Sequence, residues 1–323
     1  MKPAILMTEP RFFALQKGAH PYEPNHSYPS KVLHNEEIWS QWHRYVDAVL
    51  DRDIEVYVID GHPTMATAVF AANAGFIHKR DEDIPSTDKT FYPSHFTDVD
   101  RVEEQAYFTS FMRRFGFPIG AYPEGWLFEG SPDLLQVRTP AKNYRLFCYG
   151  GRSEREVGHW LAGDVLEGEL LLLQHSNEDF LYGQSVMCSL GDHLLVWESG
   201  VHPRALGQLR EVLAERLVTI PDQDGFHAVP ASLYLELEDD QRLLFAPHTM
   251  SMTTRDAIES LGVEIVSVDV TSFHAPGIAG PAMLAMPLGP VNPDEASLTD
   301  NQRLFRHARH VRALRKNGQF VNH

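Results

Sequence analysis

At 323 residues, 43% hydrophobic and 22% charged, the chain can bury a sizeable core, as one large domain or two modest ones. A net charge of -16 argues against nucleic acid as the main partner, and no apolar run approaches membrane-spanning length. The apolar run behind Lys2 is too short for a signal peptide, so a cytoplasmic location is expected. Cys148 and Cys188 fit a reducing compartment, with a disulfide between them left open.

Residues 4–7 predict a short strand that Glu9-Pro10 stops, and 14–34, with Pro21, Pro24 and Pro29, read as a loop over the surface or a pocket mouth. Asn35 can cap a helix whose inner face is Ile38, Trp42, Tyr45, Val46 and Val49, and residues 54–59 alternate as a strand. From Met65 to Ile77 the side chains are mostly small and apolar, which predicts an enclosed strand and bend. Asn73 interrupts that run. A buried amide needs partners, so Asn73 either ties down the backbone where the strand ends at Gly75 or lines a pocket.

A helix from Asp98 or Asp100 should turn Val102, Ala106, Phe108, Phe111 and Met112 inward, stop at Gly116 and lead to a short strand from Phe117. Ser153 should begin a short helix with Val157, Trp160 and Leu161 inward, followed by strands at 169–173 and near 180–190. His202-Pro203 opens the best helix pattern, with Leu206, Leu209, Leu213 and Leu217 on one side, before strands near 226–237 and 242–246. The last helix begins near Ser251, uses Ala257, Ile258 and Leu261, and precedes a strand at 263–268. This recurrence of helix then strands indicates an α/β protein of one repeated architecture.

Short segments carry a family resemblance. Phe70-Ala71-Ala72-Asn73-Ala74-Gly75 resembles Phe-Thr-Ala-Asn-Ala-Gly, Phe128-Glu129-Gly130-Ser131-Pro132-Asp133 resembles Phe-Glu-Gly-Gly-Gly-Asp, and Tyr149-Gly150-Gly151-Arg152-Ser153 resembles Tyr-Gly-x-Arg-Thr/Ser. These are segments of the amidinotransferase and dimethylarginine dimethylaminohydrolase superfamily, the penteins. The resemblance spans residues 1–288 and implies a pentein-type five-bladed α/β-propeller of repeated ββαβ units around a central pocket, with 289–323 as a C-terminal extension.

Familiar penteins break guanidinium C–N bonds with a Cys nucleophile, a His acid–base and carboxylates that hold the planar cation. The resemblance puts Tyr182 at the His, Gln184 at an Asp, Met283 at the Cys and Thr67 at an acidic position. A thioether has no proton to lose and forms no such covalent intermediate, and a phenol titrating near 10 replaces imidazole poorly. Asp133 and Glu129 survive from the clamp. The Cys-dependent reaction is therefore expected to be absent, with Cys148 and Cys188 as packing thiols.

The first functional reading is a non-catalytic pentein that binds a small polar or zwitterionic molecule or acts in an assembly. Its candidate ligand-binding residues are Asn73, Glu129, Asp133, Arg152, Gln184 and Met283, with His175 or His274 nearby. The alternative is a small-molecule enzyme of changed mechanism with Tyr182 as its catalytic acid–base, and a third reading is a structural partner of a catalytic homologue. The histidines make no zinc motif and Gly150-Gly151-Arg152 is too short for a phosphate loop, so neither metal nor cofactor is expected. Arg101 followed by Glu103 and Glu104 reads as an ion pair fixing the second helix, with a catalytic carboxylate there as the other possibility.

Residues 300–323 hold six Lys or Arg against the single acid Asp300. Leu304, Ala308, Val311 and Leu314 can share one face of a basic helix, expected to dock on its own acidic domain or on a sister subunit. Membrane or nucleic-acid binding by this segment is the weaker expectation.

Overall fold

Among the described residues of the computed structural model, the β-structure forms five separate small sheets of two to four strands each. The described residues are 2–13, 35–175, 180–237, 240–273, 280–291, 306–308 and 312. β1 (Lys2–Thr8) leads through α1 (Asn35–Leu50) to β2 (Glu55–Ile59), which runs parallel to β1. The antiparallel pair β3 (Gly75–His78) and β4 (Thr90–Pro93) precedes α2 (Val102–Arg114), after which Ile119 makes a parallel bridge to Phe91.

The next three units are more complete. β5 (Leu134–Arg138) and β6 (Asn143–Tyr149) pair antiparallel, and α3 (Arg155–Trp160) crosses to β7 (Glu169–Gln174), parallel to β6. β8 (Met187–Ser189), β9 (Leu194–Val196), α4 (Pro203–Leu213) and β10 (Leu217–Thr219) repeat that connectivity. After the short helix α5 (Asp222–Phe226), so do β11 (Leu233–Glu236), β12 (Arg242–Pro247), α6 (Met252–Glu259) and β13 (Glu264–Val268). Finally α7 (Pro281–Leu284) leads to β14 (Met286–Val291), which returns antiparallel to β1.

The inner face expected for α1 is buried throughout, and Ser251 caps α6 by accepting from the Thr254 N–H. Other expectations need correction. β2 does not alternate: all five residues are buried, Val56 and Val58 against α1, Tyr57 and Ile59 against Phe108 and Phe111. Residues 71–74 form one 3-10 turn, and the strand begins rather than ends at Gly75. Small residues let the chain turn tightly inside the core, so their burial did not signify a strand.

On α2, Val102 and Ala106 are exposed; the buried face is Arg101, Glu104, Phe108, Phe111 and Met112. Counting back by threes and fours from Phe108 reaches Glu104 and Arg101, whose ion pair makes that polar end buriable. Asp98 caps the preceding short turn through Asp100 N–H. Ser153 caps nothing, because its hydroxyl is spent on Asp133. α4 ends at Leu213, and Leu217, expected on its face, starts β10.

The boundary expected after Leu288 falls inside β14. Ala4 pairs with Gly289 and Ile5 with Pro287, so Leu288 is the extra residue of a bulge. Nearby, the fully buried Lys89 donates to the carbonyls of Arg80 (2.9 Å) and Pro290 (2.6 Å), tying the β3–β4 hairpin to β14. Beyond β14, Arg306–His307 is a two-residue strand (β15) antiparallel to β2, not part of a helix. Ala308 is buried in the α1 core, and Arg312 meets Asp47 on α1 at 3.4 Å and Asp51 in the turn that follows it at 2.9 Å. Leu304, Val311 and Leu314 lie outside the described residues. Among those described, no helix is long and apolar enough to cross a membrane.

Candidate functional site

The short helical turns carrying the candidate residues touch one another in a row. The α7 turn with Met283 packs on the 71–74 turn with Asn73, that turn on Ser131–Asp133, and Ser131–Asp133 on Gly183–Ser185. Gly130 permits one of these approaches: with φ at 83°, its Cα faces the Gly75 carbonyl, and a Cβ would lie 2.8 Å from that oxygen.

Glu129, fully buried, is the centre of the polar groups. Its Oε2 accepts from the Tyr182 hydroxyl at 2.6 Å, and its Oε1 from the Thr97 N–H (3.0 Å) and hydroxyl (2.6 Å). Arg152 Nη1 donates to Thr97 Oγ1 at 2.7 Å and lies 3.5 Å from Glu129 Oε1, while Arg101 Nη1 lies 3.9 Å from Oε2. Arg101 in turn donates to Glu104 Oε2 at 2.8 Å and sits 4.2 Å over the Phe96 ring. Thr67 donates to the other Glu104 oxygen. Two guanidinium groups and two carboxylates therefore share one network, buried at Arg101, Glu104 and Glu129 and reaching the surface at Thr97 and Arg152.

Asp133 is also buried. Its two oxygens accept from Ser153 Oγ (2.7 Å) and the Gly183 N–H (2.8 Å). Burial raises its pKa to about 7, with the two hydrogen bonds opposing and the Glu129 charge adding. A folded-state value above the unfolded value near 4 favours the protonated form in the fold. This contribution is complete below about pH 4 and is lost as pH rises through 7. Relative to Asp133→Asn, the protein should lose on the order of 2–4 kcal/mol between pH 4 and 8, measured by denaturant titration at each pH.

Asn73 is 1% exposed, and neither its amide nitrogen nor its oxygen has a hydrogen-bond partner among the described residues. Among the described residues, the Asn73 side chain does not make the bonds that tying down the strand would need. Only its backbone N–H bonds, to Phe70 O at 3.1 Å. Asn73→Ala should change unfolding free energy by less than about 1 kcal/mol, because no bond is lost and an unpaired amide is removed; melting curves test this.

Met283 is 1% exposed, in one apolar cluster with Tyr182, Phe70, Phe13 and Phe273. Phe13 stands edge-on to Phe70 at 5.6 Å and 5.2 Å from Phe273. Burial raises the Tyr182 pKa well above its ordinary value, reinforced by Glu129. The Gln184 Oε1 is buried and has no partner among the described residues. His175 lies behind Gly151 with its pKa lowered to about 4 by burial, so it is neutral at pH 7; His274 lies outside the described residues. Both cysteines are free, buried and held as thiols, Cys188 with its pKa raised to about 12 by burial. Among the described residues, no group of three His, Cys, Asp or Glu could hold a metal ion.

The open space lies beside this network. A cleft of about 220 Å³ is lined by Thr97, Leu127, Tyr149, Gly151, Arg152 and Glu154, so Arg152 reaches both the cleft and Glu129. Thr97, Phe96 and the bond from Thr67 to Glu104 escaped sequence reading. They belong to loops and turns without periodicity, and their partners are distant in sequence.

Comparison with solved structures gives the fold its relatives. The N-terminal domain of ArgZ bound to product, an arginine dihydrolase from the ornithine–ammonia cycle in cyanobacteria, matches with a TM-score of 0.74 and 21% identity. The match covers 90% of this chain and 99% of that one. The ternary complex of AgrE with ornithine and NAD+ matches at 0.74 and 21%, over 89% of this chain and 39% of AgrE. A dimethylarginine dimethylaminohydrolase adduct with S-methyl-L-thiocitrulline matches at 0.61 and 14%, over 89% and 100%. No protein-family profile matches the sequence, and no curated protein does. The chain thus has the fold of the ArgZ N-terminal domain, of AgrE and of the dimethylarginine dimethylaminohydrolase.

Proposed function

We propose that this chain is a five-bladed pentein propeller of ββαβ units that carries out no guanidine chemistry and binds a small polar or zwitterionic molecule. The ring runs to Val291, and the extension beyond it docks on α1 through Arg312. The observation that carries the reading is that Glu104, Glu129 and Asp133 all have partners within their own chain. A guanidinium ligand would have to displace Arg101, Arg152, Tyr182 or Thr97 to reach a carboxylate. No thiolate would meet it, since Met283 stands at the position implied for the nucleophile.

A changed mechanism built on Tyr182 has less support: its proton is committed to Glu129 in a buried site and its pKa is raised. The cleft suits a ligand carrying both charges, with a carboxylate against Arg152 and an ammonium toward Glu154 and Glu156. Titration calorimetry with free amino acids, diamines and dicarboxylates tests this. Zwitterions should bind, and Arg152→Ala should weaken them at least tenfold. Binding unchanged by Arg152→Ala, or confined to diamines, would overturn the assignment.

A further inference from the structure

Among the described residues that line the cleft beside Arg152, only Leu127 and Tyr149 carry hydrophobic side chains. Both are held in place. Leu127 forms a closed pair with Glu154: the Glu154 N–H donates to the Leu127 carbonyl at 2.9 Å, and the Leu127 N–H donates to Glu154 Oε2 at 3.0 Å. Tyr149 ends β6, where its carbonyl accepts from the His175 N–H at 2.7 Å. Its ring is partly exposed and packs on the cluster of Phe147, Val157 and Leu161, with the Arg155 guanidinium 5.8 Å away. The polar ends are fixed as well. Glu154 Oε1 makes no bond among the described residues, although Oε2 is committed to Leu127. Arg152 is anchored through Nη1 to Thr97 and Glu129, while its Nε and Nη2 make no bond among the described residues.

A volume of about 220 Å³ falls below the roughly 300–1,000 Å³ of sites for drug-sized ligands, so the occupant is one small molecule. We infer, resting on the zwitterion reading above, that the cleft selects amino acids with an aliphatic or aromatic side chain, and that Leu127 and Tyr149 set this preference. The ligand carboxylate takes the Nε–Nη2 edge of Arg152 in a bidentate pair, and its ammonium takes Glu154 Oε1. Its side chain then covers Leu127 and the Tyr149 ring, and the water expelled from these walls favours an apolar group. A cationic side chain would meet Arg155 beside Tyr149 instead of a carboxylate. An anionic one would find Arg155, but that residue is exposed, so solvent screens the pair.

Titration calorimetry of the full chain with glycine, leucine, phenylalanine, glutamate and lysine tests the preference without any variant. Leucine or phenylalanine should bind at least about tenfold more tightly than glycine, glutamate and lysine. Leu127→Ala and Tyr149→Ala should each lower the leucine-to-glycine ratio at least about threefold. Glycine binding as tightly as leucine and phenylalanine overturns the preference and leaves the zwitterion reading standing. Binding by none of the five overturns both. A leucine-to-glycine ratio unchanged in both variants, with circular dichroism showing them folded, overturns the assignment to Leu127 and Tyr149.

Discussion

Replacing Glu129 with alanine is expected to cost about 3–5 kcal/mol of unfolding free energy, the range for removing one partner of a buried, hydrogen-bonded ion pair. The loss comes from what stays behind. Arg101 would keep only Glu104, Arg152 would lose its ion-pair partner, and the Tyr182 hydroxyl and Thr97 N–H would lose their acceptors. Glu129→Gln should cost less, because one oxygen remains, but its new amide hydrogens would face donors. Tyr182→Phe should cost about 1.5–3 kcal/mol, because the buried Glu129 Oε2 loses the hydrogen bond to its charge. Urea unfolding of the double variant should then be less destabilised than the sum of the singles, since both remove the same contact. A Glu129→Ala protein as stable as the parent would show that the network holds nothing together.

Gly289→Ala is the second substitution with a large expected effect. Gly289 has φ of 73°, and a Cβ there would lie 1.7 Å from the Arg80 carbonyl oxygen. No rotamer relieves a backbone contact of that size, so β14 would have to move away from the β3–β4 hairpin. That movement also breaks the Lys89 bridge between the Arg80 and Pro290 carbonyls. The cost should reach on the order of 3 kcal/mol or more, with a lower thermal midpoint and faster exchange of the β1 and β14 amides. Lys89→Met keeps the volume and removes only the donors. It should cost about 1–3 kcal/mol for the buried carbonyls left unpaired.

The apolar face of α1 was legible because periodic burial leaves a periodic trace, whereas of the residues expected inward on α6 only Ile258 is buried and Leu261 lies past the helix end. The same logic misled at Val102 and Ala106, where the buried stripe of α2 ends in an ion pair instead of hydrophobic residues. It misled again at Leu217, which keeps the α4 spacing after the helix has stopped. At the site, resemblance pointed to Tyr182, Glu129, Asp133 and Arg152, residues that hydrogen bonds and ion pairs link to one network. It could not reveal that the buried carboxylates have partners within the chain, because Thr97 and Thr67 reach them from irregular backbone. Asn73 was readable as buried, but its lack of partners depends on where the neighbouring turns lie.

Turnover of guanidine substrates is the most direct measurement of the central claim. Purified protein at high concentration, incubated with L-arginine, agmatine and methylated arginines, should release no ammonia, methylamine, citrulline or ornithine above the protein-free rate. With glycine added as acceptor, it should transfer no amidino group. Mass spectrometry of the intact chain should find no covalent adduct with a thiol-directed guanidine analogue. Steady product formation that scales with protein concentration and disappears in Cys188→Ser or Tyr182→Phe would contradict the account.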